Sequence, residues 1–465
     1  MEFVVGILLL LTFFGLAYYC IKGHNLMIGF LIISIVWTAL SLLGTLVASP
    51  TFIAENPILQ FGGDSGTTLV SILNKIYQSA PEGWGTTLVN VCWGAWFGRV
   101  LMETGIASTL IRKTVELGGD RPIITIVLLN VVTAFIFTAM MGAGPVIAIG
   151  VIVLPILMSL GIPKAIAMFT FMGSVSAGMY LNPVLQFSQL RAFICASDEM
   201  PEFSFSWYTS HWGIYALIIS VVVVSVLTGI YLKIGKKSHA WAAQAAPKNT
   251  QTEAPLIALI LPIVPVVLKI WLDFSVIGGF VIAGFAALFL CGKMNKSFKE
   301  NCQLVNKLYY DGVVDTAPLV GFLLTLPMFN TCASYASPYF KEVLGGIMPT
   351  NEYVVCALFA ALSILGFFRG TLPLYGCGAA TLGVLSSVGH FSVPFLFCVF
   401  TIPATTVNVG SCITQSWIAW GLAYTKVESR DYLKLSIPFA YICSILLYIL
   451  TAFTVTGLGP EWFLS

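Results

Sequence analysis

Charge is what this chain has least of. Only 42 of its 465 residues are Asp, Glu, Lys or Arg (20 acidic and 22 basic), or 9%, where a soluble protein carries about 25%. So few charges could not cover the surface of a water-soluble protein of this length. The shortage does not mean disorder, which needs low hydrophobicity and high charge. Here 58% of residues are hydrophobic and mean hydropathy is +0.93. A formal net charge of +2 gives no basis for nucleic-acid binding, which needs a concentrated positive surface. The 11 cysteines are dilute and odd in number, which argues against a disulfide scaffold. A Gly-x-x-x-x-Gly-Lys-Ser/Thr nucleotide loop is missing, which argues against primary pumping. Period-two alternation is missing as well, which argues against a β-barrel. What remains is an all-α polytopic membrane protein.

A transmembrane helix needs about 20 mostly apolar residues. Candidate spans are 3–21, 26–49, 84–108, 122–142, 144–160, 163–184, 210–232, 254–273, 275–292, 313–331, 351–368, 371–388, 392–424 and 434–457. That gives about 12–14 transmembrane segments, with 392–424 too long for one helix and read as a broken element that crosses once. The first span begins Met1-Glu2 and lacks a cleavage site before Ile21-Lys22, so it reads as a retained helix rather than a signal peptide. Cysteines such as Cys92, Cys291 and Cys398 lie within spans and behave there as small apolar residues.

The few charges set the orientation. Arg112, Lys113 and Arg121, then Lys233, Lys236, Lys237 and Lys248, then Lys293, Lys296, Lys299 and Lys307, then Lys426, Arg430 and Lys434 fall in short loops and should be cytoplasmic. The acid-biased segments 50–83 and 191–205 should lie outside, as should both termini. The expected location is a bacterial inner (cytoplasmic) membrane.

The polar segment 233–253, with Gly235-Lys236-Lys237-Ser238 and Ala246-Pro247-Lys248-Asn249, suits a cytoplasmic linker between two halves, 1–232 and 254–465. The halves resemble each other at a shift of about 228 residues. Gly142-Ala143-Gly144-Pro145 falls on Gly370-Thr371-Leu372-Pro373, Gly150 on Gly378 and Gly161 on Gly389. The repeats are about 84–210 and 313–425. The charge rule sends 84–108 inward and 313–331 outward, so the two repeats are expected to be inverted, a recurrent design of secondary transporters.

Gly, Pro and polar side chains interrupt the apolar spans at four places: 141–145, 368–373, 173–183 and 403–411. Proline removes a backbone donor and breaks a helix, and unwound backbone at membrane depth is tolerated only where it is buried or lines a cavity. Freed N–H groups and half-helix ends hold anions. The candidate substrate-binding residues are therefore Gly142, Gly144, Ser174, Ser176, Asn182, Arg369, Thr371, Thr405, Thr406, Asn408 and Ser411. Free carbonyls with Asn, Ser and Thr oxygens could hold Na⁺ near Asn182 and Asn408. For any single Gly or Ser, close helix packing is the simpler explanation; the clusters with Pro and Asn carry the site.

Arg99 and Glu103 are four residues apart on one helix face, where they can pair. They read as a gate, with Glu103 the in-span carboxylate best placed to take up a coupling proton; snorkelling near the cytoplasmic end is the alternative. Arg369 stands just before Gly370-Thr371-Leu372-Pro373, where its guanidinium could grip a carboxylate. His24, His211, His239 and His390 form no cluster, so neither metal nor cofactor is expected.

The runs Gly98-Arg99-Val100-Leu101-Met102-Glu103-Thr104-Gly105, Gly142–Pro155 and Arg369-Gly370-Thr371 resemble the gluconate:proton symporter (GntP-type) family of the ion-transporter superfamily. The resemblance implies inverted repeats with hairpins, proton-coupled uptake of a small organic acid and a homodimer. Two departures stand out. The stretch 174–183 has no His where the family has one. Cys412-Ile413-Thr414-Gln415-Ser416 is uncharged where the family has a His-Val-Asn-Asp-Pro type of sequence. They point to a different carboxylate, an amino acid or Na⁺ coupling. The reading is a secondary active permease, with membrane lipid around it, importing a small organic anion with H⁺ or Na⁺ by alternating access. The alternatives are an ion-coupled exchanger (Na⁺/H⁺ or two organic anions) or an amino-acid permease. An enzyme is not expected, since the spans lack paired catalytic carboxylates, a Cys/His pair and a metal motif.

Overall fold

The computed structural model describes residues 1–22, 24–60, 68–118, 122–140, 142–195, 200, 202–234, 253–272, 274–346, 349–375, 378–388 and 391–458. The linker 233–253 therefore lies almost wholly outside the described residues, as does Met141. Among those described there is no β-strand. The main helices are α1 (Glu2–Ile21), α2 (Leu26–Val47), α3 (Gly85–Glu103), α4 (Ile106–Gly118), α5 (Pro122–Phe137), α6 (Ala143–Ser159) and α7 (Lys164–Met179). They continue with α8 (Phe205–Ile234), α9 (Leu256–Leu272), α10 (Val276–Leu290), α11 (Phe298–Leu344) and α12 (Glu352–Ala361). The last are α13 (Gly378–Val388), α14 (Val393–Val409), α15 (Ser416–Thr425) and α16 (Ser429–Thr454).

Several helix starts follow from the residue that precedes them. The Asn25 side chain accepts from the Ile28 N–H, Asn351 from Tyr353 and Val354, and Ser392 from Phe395. Each satisfies donors that the first turn leaves free. Ser297 and Glu300 form a reciprocal capping box at the start of α11. These Ser297 hydrogen bonds, side chain first and backbone second, hold the Glu300 carboxyl below its ordinary value of 4.5. A depressed carboxyl stabilises the fold above its unfolded value and loses that contribution as pH falls through the folded one. Below about pH 4, the first turn of α11 is therefore expected to fray, seen as faster amide exchange there than at mid-helix. A pH-independent exchange rate ratio would contradict this.

The outer surface is apolar in a way no water-soluble protein tolerates. On α8, Ile214, Ile218, Val222, Val226 and Ile230 are all exposed, and their spacing of four puts them on one face. The opposite face buries Ala216, Ser220, Val223 and Leu227. Three helices, Met27–Val47, α8 and α16, are long and apolar enough to cross a membrane by length and composition. The chain is thus an all-α polytopic integral membrane protein.

Two helices have no lipid face. From Ile166 to Met179 every residue of α7 is buried, and so is every residue of α14. A helix buried all round is a central one. Around them α11 runs for 47 residues, about 70 Å at about 1.5 Å per residue. It packs on α1, α2, α3 and α13. The span expected over 313–331 is the middle of this helix, which extends in both directions because exposed polar turns such as Lys299, Glu300 and Lys307 continue it. The segment expected as a loop over 50–83 holds Pro50–Glu55, Leu69–Asn74, a π turn Lys75–Ser79 and Ala80–Glu82. The expected span 84–108 divides at Gly105, whose φ is +73°.

Four interruptions lie in the core-forming helices. The first lies between α5 and α6, at 138–140 and Gly142. Here the structure corrects the sequence argument, because α6 starts at Ala143 and Pro145 sits in its first turn. A proline there loses no helical hydrogen bond. The break precedes it and turns on Gly142 at φ +89°. The second is 180–182, between α7 and a π segment Pro183–Ser188 that continues into Gln189–Ile194. The third is 370–375, after a 3₁₀ segment Ser363–Arg369 and before α13, with Phe368 at φ +55°. The fourth is 412–415, between α14 and α15. A second correction applies here. Residues 403–409 are not unwound; they form a continuous π turn, Pro403–Val409, at the end of α14.

Candidate functional site

The four interruptions are tied to one another by buried side chains. Asn182 is buried, and its Nδ2 donates to the carbonyls of Phe137 (3.3 Å) and Met140 (3.2 Å). Its Oδ1 accepts from the Val184 N–H at 3.1 Å. It therefore fastens the break after α7 to the break before α6. The carbonyls it satisfies are those that helix termination leaves free, so its amide acts as a clamp and its oxygen is already engaged.

Past this break, Tyr180 Oη and Thr406 Oγ1 are 2.6 Å apart, and Gln186 Nε2 donates to Thr405 Oγ1. Tyr208 Oη donates to the Tyr180 carbonyl at 2.8 Å. Gly410 packs on Ser176, with room only because glycine has no Cβ: one built there would stand 2.5 Å from Ser176 Oγ. The carbonyls freed by the π turn are taken up by side chains. Trp417 Nε1 donates to Val409 O (3.1 Å), Tyr432 Oη to Gly410 O (2.7 Å) and Ser436 Oγ to Ser411 O (3.3 Å). Gln415 Nε2 donates to Asn408 Oδ1 at 2.8 Å. The third break joins the second through Tyr375 Oη, which donates to Gln189 Oε1 at 3.2 Å, and the fourth through the Phe368 N–H, 3.1 Å from Cys412 Sγ.

Four fully buried polar groups in this region keep an atom with no hydrogen-bond partner: Gln186 Oε1, Gln189 Nε2, Thr401 Oγ1 and Asn408 Nδ2. Burying such an atom unsatisfied costs about 1–3 kcal/mol, and all four lie on two elements, the segment 183–194 and α14.

Arg99 does not pair with Glu103. Its Nε donates to Asp315 Oδ2 and its Nη2 to Asp315 Oδ1, each at 2.6 Å, a two-pronged geometry. Glu103 instead lies 3.6 Å from Lys293 Nζ. The i, i+4 spacing permitted the pair, but α11 packs against α3 so closely at Gly312 that Asp315, one turn on, reaches the guanidinium first. Asp315 also rests on the backbone of Gly144. A Cβ there would stand 2.5 Å from the carboxyl carbon and 2.8 Å from Oδ1. One carboxylate thus links α3, α11 and the first turn of the half-helix α6, where the helix dipole favours negative charge.

The other expected residues fall as follows. Gly142 and Gly144 shape the first break. Thr405, Thr406 and Asn408 join Gln186, Tyr180 and Gln415. Thr371 lies in the third break, where its carbonyl accepts from Thr381 Oγ1 at 2.6 Å. Ser174, Ser176 and Ser411 bond to the carbonyls of Thr170, Gly173 and Thr406 in their own helices, the packing behaviour of helical serine. Arg369 ends the 3₁₀ segment, and its side chain lies outside the described residues. Sequence reasoning missed Asp315, Tyr180, Gln186, Gln189, Tyr375 and Gln415. Gln186 and Gln189, three apart just beyond the expected span 163–184, were a usable signal, as was an Asp inside the expected 313–331 span.

No family model matches this sequence, and no curated protein matches it. Among solved structures, the crystal structure of the Alcanivorax borkumensis YdaH transporter, described as having an unusual topology, is similar over 90% of this chain and 98% of that one. The TM-score is 0.53 at 13% identity. The likeness is one of fold alone, and it gives no support to the gluconate family in particular.

Proposed function

We propose that this chain is a secondary active transporter that carries a small organic anion, such as a sugar acid or another carboxylate, together with H⁺ or Na⁺. The observation that carries the reading is the meeting of four helix interruptions at buried, partly unpaired amides and hydroxyls, in a fold shared with a transporter. Broken helices facing one another at mid-depth are how transporters hold a solute between two halves. In this reading residues 84–210 and 313–425 are inverted repeats: α7 and the segment after it answer to α14 and α15. Gln186, Gln189, Thr401 and Asn408 supply donors and acceptors to the solute. Asn182 holds the two N-terminal breaks in register while the halves rock.

The exchanger reading gains one specific support, since it needs a carboxylate within the spans and Asp315 supplies one. Comparing imposed proton and Na⁺ gradients in proteoliposomes separates the two. Inward gradients accelerate uptake in a symporter, whereas a preloaded counter-solute does so in an exchanger. In the symporter, Gln186→Leu and Asn408→Leu are each expected to lower uptake about 10- to 100-fold, the equivalent of one hydrogen bond to a charged group, with the protein still folded. Unchanged uptake in both would place the solute elsewhere.

A further inference from the structure

Both oxygens of Asp315 are taken by Arg99, with Nε on Oδ2 and Nη2 on Oδ1. The same carboxyl group rests on the backbone of Gly144. Three elements meet there: α3 of the first half, α11 of the second, and the opening turn of the half-helix α6. The charged groups on the surrounding elements are few. On α11, Asp311 and Lys307 lie one and two turns before Asp315. Glu103 lies on α3 and Lys293 follows α10. The helices α2, α6, α10 and α13 carry no charged residue. Elsewhere against α3 and α11, α1 brings only Glu2, and the short helices before α3 bring Lys75 and Glu82. On α4, Arg112 and Lys113 are paired with Glu253 and Glu116.

Arg99 has a second carboxylate within its reach. Glu103 is four residues on along α3, the spacing that lets two helical side chains pair. Glu103 is loosely held: Lys293 Nζ is 3.6 Å away, and the two side chains are 43% and 28% exposed, an ion pair of the kind that contributes little. Because Arg99 occupies both Asp315 oxygens, a proton adds only where the guanidinium lets go. Once Asp315 is neutral, Arg99 faces the positive end of α6, which favours its turning to Glu103. Charge balances in both states. In one, Arg99 offsets Asp315; in the other, Arg99 offsets Glu103 and Asp315 is a neutral acid. Neither leaves an uncompensated charge within the span, the arrangement that costs most.

We propose that Asp315 is the proton-binding residue of this chain and that Arg99 gates it by passing between Asp315 and Glu103. A proton from water bonds to one Asp315 oxygen, and the two hydrogen bonds to Arg99 break. The guanidinium then donates to Glu103, which leaves Lys293. The neutral acid no longer attracts the opening turn of α6, so the half-helix is released next to the break that Asn182 clamps. A proton needs one carboxylate oxygen and no shell of further ligands. The Phe137 and Met140 carbonyls, which a bound Na⁺ would need, are already taken by Asn182. As the coupling step of uptake this rests on the transport reading; as a proton switch it does not.

The test uses the full chain in phosphatidylcholine nanodiscs. Amide exchange of residues 143–150 in α6 is read by mass spectrometry as a ratio to that of 218–226 in α8. From about pH 8 to about pH 4, across the carboxyl range, the ratio should rise about ten-fold as α6 is released. In Asp315→Asn it should be high throughout. In Glu103→Gln, which removes the second partner, it should stay low throughout. Asp311→Asn should respond as the parent does. A merely structural pair would also loosen in Asp315→Asn, but it would not answer to Glu103→Gln. A flat parent profile overturns the proposal, as does a response that survives Asp315→Asn or Glu103→Gln. So does a response lost in Asp311→Asn, which would move the proton to that residue, or one seen only with Na⁺ present. Should Asp315→Asn fail to fold, Glu103→Gln decides alone. If the pattern holds but imposed proton gradients leave uptake unchanged, the proton-coupled transport reading fails and the switch stands. If uptake is proton-coupled but the pattern is missing, the switch fails alone.

Discussion

Asp315→Ala is expected to destabilise the protein by about 2–4 kcal/mol and to reduce uptake at least ten-fold. Removing one member of a fully buried ion pair costs about 3–5 kcal/mol, because the remaining charge is left uncompensated. The value here is lower because the Arg99 side chain is 30% exposed and that of Asp315 14%, so water reaches the survivor. The two partners should not be equivalent. Without Asp315, the Arg99 cation faces the positive end of α6 with nothing between them. Without Arg99, the Asp315 carboxylate keeps that helix end as a partner. Arg99→Ala should therefore be milder than Asp315→Ala, and the double alanine variant milder than the sum of the singles. Arg99→Lys should fall between wild type and Arg99→Ala, since an ammonium cannot reproduce the two parallel bonds. Thermal unfolding in detergent ranks the four variants. Equal stability of Asp315→Ala and wild type would remove the pair from any structural role, and normal uptake would remove it from the transport cycle.

Gly178→Ala is expected to cost about 3 kcal/mol or more. A Cβ at Gly178 would collide with the Ala134 carbonyl oxygen and stand 2.9 and 3.0 Å from its carbonyl carbon and Cα. A side chain can rotate away from an intruding methyl, but backbone of a packed helix cannot, so α5 and α7 must separate. Overpacking that a core can partly absorb costs about 1–3 kcal/mol; this contact leaves little to absorb it. The separation would fall just before the breaks that Asn182 clamps, so amide exchange should rise in 137–142 and 180–184 before the rest of the chain. Gly15→Ala is the control. Nothing lies within 4 Å of its Cβ position, and alanine should stabilise α1 by up to about 1 kcal/mol. Indistinguishable unfolding temperatures for the two variants would show that α5 and α7 are not held this closely.

Much of the architecture was legible before any coordinates. Long apolar runs separated by short charged loops demand membrane helices, because each depends only on local composition. The glycine and proline clusters also announced where helices stop, for the same reason: the loss of a donor or the need for positive φ is a property of one residue. What local chemistry could not supply is which side of a proline the break takes. Pro145 and Pro403 both remain wound, the first because it falls in an opening turn and the second because a π turn accommodates it. The serines of the clusters illustrate the same limit. Ser174 and Ser176 looked like ligands in the sequence and are spent on their own helix carbonyls.

By itself, then, the sequence determined that this is a helical membrane protein whose helices are interrupted in the core. Local hydropathy and backbone chemistry suffice for that. The tertiary structure alone decided which groups meet. Arg99 had a possible partner four residues away on its own helix and found one 216 residues away, because α11 packs at glycine distance against α3. Gln186 and Gln189 read as ordinary polar residues until α14 and the third break brought Thr405 and Tyr375 against them. Pairing across such separations depends on how closely two backbones approach, and no window of sequence contains that distance.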